Sequence, residues 1–191
     1  MELLKNKLRA ECSVLEGNIL KVHHFLNHQI DIALMAELAD EMQQRFKDAG
    51  VTKILTVESS GIAFACLLAE RMKLPVLFAK KAKHGVSMPH IYRAAVGSDN
   101  EHGFDIAVAE ECLTNADKVL VVDDFLAKGS TIFALLGLVE QAGASAVGCG
   151  IIIEKVFEGG GERLRDAGIR VESLAKIAAI SQETGIAFID N

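Results

Sequence analysis

Tryptophan is absent from this chain, and proline occurs only twice. No low-complexity stretch or internal repeat interrupts it, so its 191 residues are expected to form one globular domain. Basic residues are outnumbered: 20 Lys and Arg against 26 Asp and Glu leave a formal charge of −6. That balance argues against general nucleic-acid binding, and it requires any anionic ligand to be met by a local basic cluster. No apolar run approaches the length of a membrane span. The first ten residues carry charges where a leader needs an apolar core, which predicts no signal peptide. Cys12, Cys66, Cys112 and Cys149 are far apart, with no Cys-x-x-Cys pair, and read as reduced thiols of a cytoplasmic protein. Apolar residues make up half of the chain. A chain of this size buries about 70% of its unfolded surface.

The stretch 119–131 organises the rest. Val119, Leu120, Val121 and Val122 are consecutive apolar residues, three of them β-branched, as in a parallel strand buried on both faces. Asp123 and Asp124 follow, where that strand is expected to reach the carboxyl edge of its sheet. A short turn around Gly129 leads to Ser130 and Thr131, which open an apolar helical run from Ile132 to Val139. Strand, small-residue turn and helix N-terminus make an anion site, because unpaired backbone N–H groups and the helix dipole converge there. Acids beside an anion site suit a sugar phosphate: the carboxylates accept hydrogen bonds from sugar hydroxyls while the turn holds the phosphate. A P-loop does not fit, since Lys128 precedes Gly129 and no glycine stands five positions before it. A receiver-type acidic pair lacks its third aspartate and its partner lysine in register.

A second site of the same kind is expected at the same sheet edge. Lys53–Val57 reads as the first strand of the sheet proper, Glu58-Ser59-Ser60-Gly61 as a turn, and 62 to about 72 as a helix. Taken alone, the turn is a weak signal. Residues 76–79 predict another buried strand leading into Lys80-Lys81-Ala82-Lys83-His84, a basic run that suits either a solvated face or capture of a polyanion. From 83 to about 105 the chain is polar and irregular, too long for an idle loop in a compact domain. We read it as a mobile β-hairpin flap that closes over the reaction. After the central motif come a helix over 131–142 and a buried strand over 146–153. The chain then leaves the sheet edge at Glu154-Lys155-Val156-Phe157 and passes through a loose coil, Glu158-Gly159-Gly160-Gly161, to strands over 169–173 and 186–189. Lys155 alone is equally explained as a surface residue covering apolar neighbours with its stem. The alternation of strands and helices predicts an α/β fold with a mostly parallel twisted sheet and right-handed crossovers.

Upstream, Leu3, Leu4, Leu8 and Cys12 fall at helical spacing, and an irregular segment is expected over 17–29. Asp31 suits an N-cap. Leu34, Met35, Leu38, Ala39, Met42 and Phe46 then form an apolar stripe of helical period that ends near Gly50, core rather than a cofactor box. His24 and His28 stand four apart, but no third ligand has a suggestive spacing, and they read as solvated or locally bonded. Asn27 alone reads as a loop or cap residue.

The pattern over 119–131 (apolar strand, two acids, two apolar residues, a small residue, x-Gly-x-Thr) resembles the signature of the type I phosphoribosyltransferases, which bind phosphoribosyl pyrophosphate (PRPP). From Leu20 to Asp31, Leu-Lys-Val-x-x-Phe-Leu-Asn-His-Gln-Ile-Asp resembles the N-terminal hood of the bacterial xanthine phosphoribosyltransferases nearly residue for residue. The likeness continues through Gln141-Ala142-Gly143-Ala144-Ser145, the Ile-Glu-Lys turn at Lys155 and Val171-Glu172-Ser173-Leu174-Ala175, and so covers essentially the whole chain. It implies a type I phosphoribosyltransferase fold: α/β, a mostly parallel twisted sheet flanked by helices, with a small N-terminal/C-terminal hood and a flexible flap. The single domain would span 1–191, with the hood at 1–30 and the flap at about 83–105.

The implied reaction is transfer of the 5-phosphoribosyl group from PRPP to xanthine, giving xanthosine 5′-monophosphate and pyrophosphate in purine salvage. The implied protein is a cytoplasmic homodimer that binds neither nucleic acid nor membrane. The resemblance makes Asp123 and Asp124 the catalytic pair on the ribosyl hydroxyls. It makes Ala127, Lys128, Gly129, Ser130 and Thr131 the 5′-phosphate loop, and Ser59, Ser60 and Gly61, with Lys80 or Lys81, the pyrophosphate site. Leu20, Asn27, Lys155 and Phe157 become purine contacts. Mg²⁺ is implied as well, bound mainly through PRPP and not directly by the protein. Transfer at C1 passes through an oxocarbenium-like state, so positioning and electrostatics carry the catalysis.

Two positions depart from the wider family. Lys128 stands where many members carry Thr or Ser, so a hydroxyl donor is lost. Ala127 stands where the hypoxanthine-guanine enzymes carry a carboxylate, which argues against that branch and leaves the proton acceptor unidentified. The alternatives are an adenine phosphoribosyltransferase, which shares the small residue at 127, and a non-enzymatic PRPP-sensing purine regulator. The acidic chain and its short N-terminal segment leave no place for the DNA-binding module of the latter.

Overall fold

A computed structural model describes residues 1–17, 19–82, 89–97 and 104–189. Its elements are α1 (Glu2–Glu11), β1 (Ser13–Leu15), β2 (Ile19–Lys21), α2 (Ile32–Phe46), β3 (Lys53–Val57), α3 (Gly61–Met72), β4 (Val76–Ala82), β5 (Ile91–Val96), β6 (Phe104–Ala109), β7 (Lys118–Leu126), α4 (Ser130–Gln141), β8 (Ser145–Lys155), α5 (Gly160–Asp166), β9 (Val171–Ser181) and β10 (Gly185–Phe188). Eight strands form one sheet in the order β10-β9-β8-β7-β3-β4-β6-β5. The five strands from β9 to β4 are parallel. Antiparallel β10 closes one side, and the β6–β5 hairpin closes the other.

The apolar run of β7 explains the layers. Successive side chains on a strand point to opposite faces. Leu120 and Val122 join the core under α1, α2 and α3 with Leu8, Leu38, Phe64 and Leu68. Val119 and Val121 join the core under α4 and α5 with Leu135, Leu138 and Leu164. Asp31 caps α2 by accepting from the Leu34 N–H at 3.0 Å, and all six residues of the predicted stripe are buried. The Leu34 amide first, and then Lys7, hold the Asp31 carboxyl below its ordinary range. β8 makes room for that stripe with glycines. A Cβ at Gly150 would lie 2.9 Å from the Met42 sulfur, and one at Gly148 would lie 3.0 Å from the Phe46 ring.

Several boundaries differ from the sequence reading. Within 17–29 the chain forms β2 and a wide helical turn, His23–Asn27, whose Phe25 and Leu26 are buried. Leu3 faces outward from α1, while Leu4 and Leu8 point in. β4 continues through Lys80 and Lys81 because its end pairs with β6. β8 runs on to Lys155 and β9 to Ser181, since Glu154 stands opposite Lys176 and Lys155 opposite Ile177. The expected coil at Gly160 and Gly161 is instead the start of α5. Of the expected flap, 83–88 and 98–103 lie outside the described residues. Among the remainder, Ile91↔Ala109 to Val96↔Phe104 form an antiparallel ladder. The outer edge of β5 is met by Gln141, whose amide accepts from the Arg93 N–H at 3.1 Å and donates to the Arg93 carbonyl at 2.8 Å.

Phe46 is fully buried, with the Arg170 guanidinium 4.4 Å from its ring centroid. Phe46→Ala is therefore expected to destabilise the chain by about 3–5 kcal/mol in urea denaturation, the usual cost of such a cavity. A loss below about 1 kcal/mol would mean that this ring does not fill the core.

Candidate active site

The parallel strands bring β3, β7 and β8 to one edge with their carboxyl ends together, and a cavity of about 440 Å³ opens there. Its walls include Asp123 and Asp124, the loop residues Ala127, Lys128, Gly129, Ser130 and Thr131, and, from the second predicted turn, Glu58 and Ser60. Lys81, Phe104, Phe125 and Glu158 complete the ring of larger side chains.

The acids do not follow β7, as the apolar run had suggested; they lie within it. The strand continues to Leu126 because β8 keeps pairing beside it, Asp123 opposite Ile151 and Phe125 opposite Ile153. Both carboxyls are therefore 6% exposed. Each accepts one backbone hydrogen bond at 3.0 Å, Asp123 from the Asp124 N–H and Asp124 from the Phe125 N–H. Burial first, and the neighbouring Asp124 charge second, push the Asp123 carboxyl well above the usual carboxylate range.

The loop that follows turns at Gly129, whose φ of 82° is the left-handed conformation glycine tolerates, and α4 begins at Ser130. The loop and the first turn of α4 thus line the same cavity as the two acids. Across it, Gly61 opens α3 with no room for a side chain: a Cβ would clash with the Thr56 hydroxyl and lie 3.2 Å from an Asp123 oxygen. The Thr56 hydroxyl is buried and has no hydrogen-bond partner among the described residues. The Glu58–Ser59 peptide is cis, and the Glu58 carboxylate accepts from the Lys81 N–H at 2.6 Å.

The two candidate lysines separate by strand alternation. Lys81 lines the cavity, its ammonium 5.1 Å from the Phe104 centroid. Lys80 sits 5.9 Å from Phe78 on the other face and outside these walls. Ser59 and Gly61 likewise belong to the loop without lining the cavity. None of the four purine candidates is among the residues that line it. Leu20 on β2 is buried in the cluster against which Phe125 packs, and Asn27 ends the wide helical turn. Lys155 lies 3.5 Å from the cavity residue Glu158, and Phe157 is 40% exposed. Phe125 is one of the two apolar residues of the 119–131 motif, whereas Phe104, within the expected flap, and Glu158, at the start of the expected coil, were not read as site residues.

The chain belongs to the phosphoribosyl transferase domain family, whose model matches residues 22–171. Curated relatives include xanthine phosphoribosyltransferases of Bacillus cereus strain G9842, 45% identical across 100% of this chain and 97% of the relative, and of Bacillus thuringiensis strain Al Hakam, 46% identical across 96% and 94%. The fold matches solved adenine phosphoribosyltransferases. That of Rhodothermus marinus has a TM-score of 0.75 at 20% identity over 92% of this chain and 99% of that one. That of Saccharomyces cerevisiae has a TM-score of 0.72 at 19% identity over 91% and 99%.

The raised Asp123 pKa has a measurable consequence. Between the ordinary aspartate value near pH 4 and the raised one, the folded chain keeps a proton that the unfolded chain has released. Stability therefore falls as pH rises through that window. Asp123→Asn removes this loss, so its melting temperature should match or exceed that of the wild type, with the larger gain at about pH 8 than at about pH 4. A variant that melts below the wild type at pH 8 would contradict the raised Asp123 value and the burial that causes it.

Proposed function

We propose that this chain is a purine-salvage enzyme that transfers the 5-phosphoribosyl group of PRPP to xanthine, forming xanthosine 5′-monophosphate and pyrophosphate. The observation that carries the reading is that the acid pair and the loop from Ala127 to Thr131 line one cavity. The choice of xanthine is supported by the relatives of that name. In the reaction the C1–O bond to pyrophosphate breaks as a C1–N bond to the purine forms, and the purine nitrogen gives up its proton. Little covalent work falls to the protein.

Asp123 and Asp124 accept hydrogen bonds from the ribosyl hydroxyls and, when ionised, stabilise the cationic sugar of the transition state. The N–H groups from Ala127 to Thr131, with the Ser130 and Thr131 hydroxyls, hold the 5′-phosphate. Ser59, Ser60 and Gly61 receive the pyrophosphate, and Lys81, which lines the cavity, takes precedence over Lys80 as its cation. Carboxylate oxygens suit a hard cation, yet no three of His, Cys, Asp or Glu cluster to hold one among the described residues. Mg²⁺ would draw most of its oxygens from PRPP, and when bound it would neutralise charge on the departing pyrophosphate.

Leu20, Asn27, Lys155 and Phe157 form the purine side. Residues 1–30 act as its hood and about 83–105 as a flap, within one domain over 1–191. A homodimer is the assembly we assign; in its favour, an apolar hollow of about 500 Å³ lined by Phe78, Ile91 and Ala107 leaves surface for a second copy. A cytoplasmic location agrees with four free thiols and with the absence of any helix, among the described residues, long and apolar enough to cross a membrane.

Lys155 offers three donors and no acceptor, so it satisfies a purine carbonyl but not an amino group. A hydrogen bond to a charged group contributes about 1.5–3 kcal/mol, or about 10- to 150-fold in rate. Lys155→Ala should lower kcat/KM for xanthine by about that factor while changing the KM for PRPP much less. Steady-state kinetics with xanthine, guanine, hypoxanthine and adenine test the reading. A wild type that uses adenine best would overturn the choice of base, and a wild type that uses none would overturn the reaction.

A further inference from the structure

The phosphate loop owes its shape to a part of the chain that belongs to no motif. In a trans peptide the carbonyl and the next N–H point in opposite directions. Loop amides can therefore face the cavity only if the preceding carbonyls are drawn away from it. Two such carbonyls are taken by α5. The Ala127 carbonyl accepts from the Gly160 N–H at 3.0 Å, and the Lys128 carbonyl accepts from the Arg163 guanidinium. Neither Gly160 nor Arg163 lines the cavity, whereas Ala127, Lys128 and Gly129 do. The N–H groups of Lys128 and Gly129 are thereby turned away from α5, toward the ligand side.

The approach is as close as backbones allow. A Cβ at Gly160 would stand 2.6 Å from the Lys128 carbonyl carbon and 2.7 Å from the Gly129 nitrogen, so no other residue fits there without moving the loop. The helix is itself fixed from the other side. Arg165 forms a two-pronged pair with buried Glu154 on β8 at 2.8 and 2.7 Å, and the Ser173 hydroxyl on β9 donates to the same carboxylate at 2.5 Å. The Arg163 guanidinium also lies over the Phe133 ring on α4, 5.7 Å from its centroid, so it stands beside both the loop and the helix that follows it.

We propose that Gly160 and Arg163 are positioning residues for the 5′-phosphate: they hold the carbonyls of Ala127 and Lys128 outward and so present the loop amides to the phosphate. This rests on the phosphate-loop reading above. It also explains how the loop works with Lys128 where a hydroxyl residue is common, since the lysine backbone is held by Arg163 whatever its side chain does.

The test compares xanthosine 5′-monophosphate with xanthosine by calorimetry, alongside PRPP kinetics, for the wild type, Arg163→Met, Arg163→Lys and Gly160→Ala. Arg163→Met should raise the KM for PRPP and weaken the nucleotide by about tenfold, the scale of one hydrogen bond from a charged donor. It should leave kcat and xanthosine affinity within about twofold, and Arg163→Lys should recover part of the loss. Gly160→Ala should show the same pattern more strongly at an unchanged far-UV circular dichroism spectrum. Nucleotide affinity unchanged in Arg163→Met, or xanthosine weakened as much as the nucleotide, would overturn the positioning role. A wild type that binds nucleotide no tighter than nucleoside would instead overturn the phosphate-loop reading itself.

Discussion

Two adjacent acids are held within a buried strand, where desolvation, more than the neighbouring charge, opposes ionisation of Asp123. Asp123 is nearly sealed from water, its protonated form is favoured, and it is fixed in a strand whose neighbours pair on both sides. The apolar residues that precede it are buried on both faces of the sheet, which leaves the acids no freedom to swing apart into solvent. Gly61, at the start of α3, keeps the space beside the Asp123 oxygen clear, since a Cβ there would lie 3.2 Å from it.

Much of this was legible in the chain. The stripe from Leu34 to Phe46 has a clean helical period, and Asp31 stands where a cap belongs; both appear as read. The β-branched run before Asp123 identified a strand buried on both faces because few other structures tolerate such a run. Asp123, Asp124, the loop after them, Ser60 and Lys81 converge on one cavity because parallel topology sends every carboxyl end to the same edge.

What stayed illegible shares one physical cause: polar residues whose partners are distant in sequence. Glu154 looks like the end of a strand by hydropathy, yet its carboxylate is 1% exposed and satisfied by Arg165 and Ser173, so β8 continues through it. Burial alone would raise its pKa; Arg165 and Ser173 outweigh burial, and the net shift is downward. The lysines of β4 read as a basic tail because the strand that pairs with them, β6, lies beyond a long polar stretch. The glycines at 160 and 161 read as slack chain, when their lack of side chains is what lets α5 press against a loop and a carboxylate.

The contact between Gln141 and Arg93 reaches beyond the site. β5 is the outermost strand of an eight-stranded sheet, and an uncovered rim of that kind is where one chain can be zipped onto another. A primary amide carries the same donor and acceptor as a peptide group. By occupying both backbone groups of Arg93, Gln141 ends the ladder as a false final rung. A foreign strand can align with β5 only by first evicting it. The chain thus carries its own terminator against strand addition, supplied by the last residue of the helix that begins after the Gly129 turn.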